Sequence, residues 1–121
     1  MIYAFVTIYN PNKFVTDNMI ALSSQVDKIY LLDNSNTNCS AQFSSIKNTE
    51  YFFFGKNLGL SAAFNRVLKE KTFNDDDFII FFDQDSHISD EHINILCKEY
   101  KKLEDRGFAL GCLGPVYFNT S

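Results

Sequence analysis

Ile79-Ile80-Phe81-Phe82-Asp83-Gln84-Asp85-Ser86 is an apolar run that ends abruptly in two carboxylates one residue apart. Four consecutive large apolar residues need cover on both faces, as in a central strand of a parallel sheet, and ligands of such sheets bind beyond the carboxyl ends of the strands. Asp83 and Asp85 are therefore expected on that rim. Side chains two apart on an extended chain point the same way, and two carboxylates directed into one cleft suit a hard divalent cation that also carries phosphate oxygens. Taken alone, the pair reads more readily as a solvated strand end than as a ligand site.

Working outward, the same theme recurs. Tyr3 to Tyr9 is a β-rich run that stops at Asn10-Pro11, where asparagine caps a helix and proline suits its first turn. Val15, Met19, Leu22 and Val26 then recur at spacings of four and three, one apolar face of a helix lying on a sheet. Lys28-Ile29-Tyr30-Leu31-Leu32-Asp33 is a second apolar strand ending in a carboxylate, followed by turn-forming Asn34 to Asn38. Residues 40–48 are weakly periodic, a short helix or a loop. Tyr51 to Phe54 reads as a third strand and Gly55-Lys56-Asn57-Leu58-Gly59 as a loop whose glycines permit unusual backbone shapes. Leu60, Phe64, Val67 and Leu68 form the apolar face of the next helix, with Ala62 and Ala63 allowing close approach. That helix start offers N–H groups and a positive dipole to an anion, but no lysine follows the second glycine, so it is not a P-loop.

Asn74-Asp75-Asp76-Asp77 lies at the opposite end from Asp83 and reads as a solvated connection. Ser89 is expected to cap a further helix with Asp90 and Glu91 in its first turn, a buried stripe of Ile93, Leu96, Cys97 and Tyr100, and Gly107 at its end. Phe108 to Gly114 reads as a fifth strand, interrupted at Gly114-Pro115. Strands alternating with helices predict an α/β, three-layer domain with a mainly parallel sheet and right-handed crossovers, a single domain over residues 1–121.

Composition narrows the partners. With 13 Phe, 6 Tyr and no Trp among 121 residues, the chain is globular and its core phenylalanine-rich. A net charge of -4 with scattered lysines and arginines gives no basic stripe for nucleic acid, so an anionic ligand needs metal or backbone help. Cys39, Cys97 and Cys112 form no Cys-x-x-Cys pair and fit reduced thiols in a cytoplasmic protein, the last two as small buried hydrophobes. The sequons at Asn38 and Asn119 carry no meaning in that compartment. The first nine residues are too short an apolar run for a signal sequence or span.

In order, Val6-Thr7-Ile8-Tyr9-Asn10-Pro11, Leu32-Asp33-Asn34-Ser35, Asn57-Leu58-Gly59-Leu60-Ser61-Ala62-Ala63-Phe64-Asn65, Phe82-Asp83-Gln84-Asp85-Ser86 and Gly114-Pro115 resemble the nucleotide-sugar-binding half of a family 2 glycosyltransferase of GT-A fold. The resemblance covers essentially the whole chain and is closest to bacterial rhamnosyltransferase-like members. It implies that Thr7, Tyr9, Asn10, Asp33 and Asn34 hold the base and ribose of a UDP- or dTDP-linked sugar, with Asn57 and Gly59 in the loop over the nucleotide. Asp83 and Asp85 match the DxD motif that meets ribose, diphosphate and Mn²⁺ or Mg²⁺, Asp85 being the expected direct ligand. It further implies inverting sugar transfer in cell-surface polysaccharide synthesis, in the cytoplasm or at the inner face of the membrane.

Family members continue past this length, and the acceptor site and catalytic base lie beyond the fifth strand. The expectation is thus a donor half that binds no glycan or lipid-linked acceptor, is inactive alone, and self-associates. An inactive nucleotide-binding or interaction fragment is the alternative. A haloacid-dehalogenase-like phosphohydrolase fits less well, since His87 stands where that motif has Thr or Val. An EF-hand loop starting at Asp83 fails with Ile88 at position six and Asn94 at position twelve. His87 is a weak ligand candidate, because an oxygen-preferring cation does not need it, and His92 reads as a surface residue.

Overall fold

The computed structural model describes residues 1–87 and 89–107, and the chain separates into two compact units, 1–88 and 89–121. The expected strand at 108–114, with Cys112 and Gly114-Pro115, lies outside the described residues. The first unit runs β1 (Ile2–Ile8), α1 (Lys13–Ser23), β2 (Lys28–Asp33), a 3-10 turn (Ser40–Phe43), β3 (Thr49–Phe53), α2 (Leu60–Glu70) and β4 (Phe78–Asp83). The four strands are all parallel in the order β3-β2-β1-β4, an α/β Rossmann-like arrangement.

The chain steps from β1 to β2 to β3 in one direction and then returns across the sheet to β4. Right-handed crossovers accordingly place α1 and the 3-10 turn on one face and α2 on the other. On the first face Gln42 Nε2 donates to Asn12 O at 2.7 Å and to Thr16 Oγ1 at 2.9 Å, and Asn48 Nδ2 donates to Ser23 O at 2.9 Å. On the second, Ala63 and Val67 of α2 are buried among Phe5, Tyr30 and Leu32, with Tyr3, Phe52, Phe64, Phe73 and Ile79 around them. The rings meet mainly edge-on or tilted, as their quadrupoles favour: Phe5 to Tyr30 at 5.3 Å and 78°, Tyr3 to Phe73 at 4.9 Å and 81°.

The strands buried on both faces are β1 and β2, where Ala4 to Ile8 and Ile29 to Ser35 are enclosed. Whether residues 79–82 form a central strand, as expected, depends on the strand expected at 108–114, which lies outside the described residues. Among the described residues β4 pairs with β1 alone, and Phe81 is 52% exposed.

Local signals needed smaller corrections. α1 is capped by Asn12, whose Oδ1 accepts from the N–H groups of Phe14 (3.0 Å) and Val15 (3.3 Å). Asn10 instead sits in the left-handed region at φ +45°, a shape asparagine tolerates better than most residues. An Asn12→Ala substitution is expected to cost about 1 kcal/mol of stability, checked by urea denaturation. In α2 the buried face is narrower than the spacing suggests: Ala63 and Val67 are enclosed and Phe64 partly so, while Leu60 and Leu68 are exposed. The small alanine lets the helix settle on the aromatic face.

Asp77 does more than solvate its turn. Its Oδ2 accepts the Asn74 N–H at 2.8 Å and its Oδ1 meets the Met1 ammonium at 2.9 Å, bonds that hold its carboxyl below the usual range.

The second unit contains α3 (His92–Asp105). Glu91, at φ +70°, occupies the cap position expected of Ser89, and Ser89 supplies its carbonyl to the His92 N–H at 3.2 Å. Ile93 is buried on this helix, and Leu96, Cys97 and Tyr100 are partly so. Gly107, at φ +92°, donates its N–H to Glu104 O and closes the helix.

Candidate functional site

Because the strands are parallel, Ile8, Asp33, Phe53 and Asp83 bring their carboxyl ends to one edge of the sheet. The connection reverses direction between β1 and β4, the position where open α/β sheets form their ligand crevice. In register, Thr7 lies between Leu32 of β2 and Asp83 of β4, and Ile8 lies opposite Asp33.

On the β2 side the residues are tied together from inside. Asp33 is fully buried. Its Oδ1 accepts the Ser35 N–H at 2.8 Å, and its Oδ2 accepts the Tyr51 hydroxyl hydrogen. The Tyr51 oxygen in turn accepts the Cys39 N–H at 2.8 Å. Burial, with the bond to Asp33, pushes the Tyr51 pKa well above the ordinary tyrosine value, so the phenol stays protonated. Ser35, also fully buried, offers its Oγ to the Asn10 N–H at 2.7 Å. A chain of bonds thus runs from the loop after β2, through Tyr51 and Asp33, to the bend after β1.

The loop after β3 is anchored to the same tips. Asn34, nearly buried, accepts the Leu58 N–H on Oδ1 at 3.1 Å, and Asn57 accepts the Gly59 N–H at 2.9 Å. Gly59, at φ +81°, takes the cap position of α2 without a side chain, so the first N–H groups of that helix keep no side-chain acceptor there.

On the β4 side the chain leaves extended geometry at once. Residues 84 and 85 form a turn closed by the Ser86 N–H on Asp83 O at 3.1 Å. The alternation expected to aim Asp83 and Asp85 the same way therefore stops at Asp83, because only that residue belongs to β4. Both aspartates are exposed on the rim, as are Tyr9, Asn10, Asn57, Gly59 and His87. Gln84, between the aspartates, reaches back to β1: its Oε1 accepts the Tyr9 N–H at 2.9 Å and its Nε2 donates to Tyr9 O at 3.1 Å.

The structure therefore gathers Thr7, Tyr9, Asn10, Asp33 and Asn34 with the Asn57–Gly59 loop and Asp83 at one sheet edge, with Asn10 and Asp33 linked through Ser35 and Asn34 bonded to the Leu58 N–H. Sequence reasoning assigned no role to Tyr51, Ser35 or Gln84. Tyr51 carried a legible signal, the one hydroxyl in the aromatic run Tyr51 to Phe54; a polar amide between two acids was the corresponding signal for Gln84. Among the described residues no three His, Cys, Asp or Glu side chains converge as a closed metal cage. Cys39 and Cys97 are free thiols whose pKa values burial raises, which disfavours thiolate chemistry.

The model of Glycosyl transferase family 2 matches residues 3–116. The chain belongs to this family. No match among curated proteins accompanies it. Family 2 glycosyltransferases take a sugar from a nucleotide-sugar donor to an acceptor, commonly with a divalent metal, and the matched span includes every rim residue named above. No helix among the described residues is long and apolar enough to cross a membrane.

Proposed function

We propose that this family 2 glycosyltransferase chain binds a nucleotide-diphosphate sugar, UDP- or dTDP-linked, across the crevice between β1 and β4. The observation that carries the reading is the switch point itself: an exposed pair of carboxylates stands on one side and a rigidly bonded set of β1 and β2 tips on the other. Thr7, Tyr9, Asn10 and Asn34 hold the base and ribose, and Asn57 and Gly59 form the loop over the nucleotide. Asp33 serves the same end from within. With its carboxylate enclosed, it acts by fixing Ser35 and, through Ser35, the Asn10 bend.

Asp83 and Asp85 would hold Mn²⁺ or Mg²⁺. Two exposed carboxylates, joined among the described residues by no third His, Cys, Asp or Glu, suit a cation that completes its shell with water and substrate phosphate. Such an ion, when bound, neutralises charge developing on the departing nucleoside diphosphate. In this reading the chain is the donor-binding portion of an inverting transferase in cell-surface polysaccharide synthesis. Calorimetry of the chain with UDP and with dTDP is expected to show binding to one of them that weakens at least about tenfold when EDTA replaces Mn²⁺. Absence of binding to both at saturating metal would refute it.

A further inference from the structure

The ladder between β1 and β4 ends in register at Thr7 and Asp83, yet the two chains remain joined one step further. The joint is a side chain. Gln84 presents its carbonyl oxygen to the Tyr9 N–H (2.9 Å) and its amide nitrogen to Tyr9 O (3.1 Å), so one carboxamide occupies both backbone groups of a single residue. Only a primary amide supplies an acceptor and a donor side by side; glutamate lacks the donor, and lysine and arginine lack the acceptor. The Gln84 backbone is held as well, its carbonyl accepting from Asn18 Nδ2 of α1 at 3.3 Å. Immediately beyond, the Asn10 N–H is taken by Ser35 from the β2 side. The Tyr9–Asn10 bend is consequently gripped from both neighbouring strands, while the Tyr9 side chain stays 49% exposed on the rim.

We infer that Gln84 is a positioning residue for donor binding: by clamping the Tyr9 backbone it fixes the spacing between the nucleoside end of the crevice, at Tyr9 and Asn10, and the flanking carboxylates Asp83 and Asp85. This rests on the proposed function, since it assigns one ligand to both sides of the switch point. The effect is one of coupling. Each side retains its own contacts without Gln84, but a ligand that spans both must meet two halves that no longer hold a set distance, and misplacement of that order is felt strongly in spanning ligands.

The test compares the native chain with Gln84→Met, which keeps the length and removes both hydrogen bonds, and Gln84→Asn, which keeps the amide but is one methylene short. Hydrogen exchange of the Tyr9 amide, read without ligand, is expected to quicken at least about tenfold in both variants while the Phe5 and Leu31 amides of the core stay as native, so that global unfolding is not the cause. Calorimetry is expected to give native affinities for UMP without metal and for Mn²⁺ alone, and an affinity for UDP with Mn²⁺, or dTDP with Mn²⁺, that is about tenfold weaker. Unchanged Tyr9 exchange overturns the clamp, and quickened exchange with unchanged diphosphate affinity overturns its positioning role. A native chain that binds neither diphosphate refutes the proposed function instead, a result visible before any variant is made. If the methionine variant fails to fold, the asparagine variant decides between the same outcomes.

Discussion

Asp33→Ala is expected to be among the most destabilising single changes in the first unit, by roughly 2–6 kcal/mol, because it leaves the buried Ser35 N–H and the half-buried Tyr51 hydroxyl without an acceptor at about 1–3 kcal/mol each. Against a total stability of about 5–15 kcal/mol for an ordinary domain, such a loss is readily measured by urea denaturation. Tyr51→Phe removes one of those donors and strands the Cys39 N–H instead. The double variant should therefore lose less than the sum of the single ones, since no hydroxyl remains to be orphaned. The pH dependence follows from the same bond. The folded-state pKa of Tyr51 is raised, chiefly by burial and then by Asp33, so its contribution is fully present below the ordinary tyrosine value of 10.0 and is lost as pH rises beyond it. Tyr51→Phe should remove that alkaline loss. Stability of Asp33→Ala within about 0.5 kcal/mol of native would show that the network does not form.

Much of the fold was legible because the strands are short apolar runs closed by turn chemistry. β2 falls at Lys28–Asp33, as its apolar residues and terminal acid indicate, and the alternation of strands with helices carries the parallel α/β arrangement. What resisted was whatever depends on partners distant in the chain. That β4 lies beside β1 and not beside β3 follows from the direction of the crossover after α2, and nothing in residues 79–82 encodes it. Asn10 and Asn12 are indistinguishable as caps by residue type; Ser35, 25 residues away, takes the Asn10 N–H and leaves the cap to Asn12. At the site, the acids and amides at the strand ends were visible, but which of them would be buried was not. Asp33 and Asp83 both end apolar strands, yet one is enclosed by Tyr51 and Ser35 and the other stands open on the rim. Burial separates the two: Asp33 is enclosed on a strand paired with both β1 and β3, whereas Asp83 is exposed at the end of β4.

That separation makes the opposite prediction for the rim. Asp85→Ala and Asp83→Ala are each expected to weaken metal-dependent binding of the nucleoside diphosphate by on the order of 100-fold, since either change leaves a cation with one carboxylate where the protein offers two. Stability should scarcely move, within about 0.5 kcal/mol, because both side chains are exposed and their removal empties no core. The metal itself supplies the control. Native affinity should fall on adding EDTA, whereas the affinity of Asp85→Ala should be nearly indifferent to it, so that native chain without metal and variant with metal converge on the same weak binding. Asp33→Ala, tested without urea after circular dichroism has shown it folded, should keep a metal dependence even as its overall affinity drops, because it loosens the Asn10 bend and leaves both rim carboxylates in place. A metal response retained in full by Asp85→Ala and Asp83→Ala would place the cation elsewhere and remove the carboxylate pair from the site.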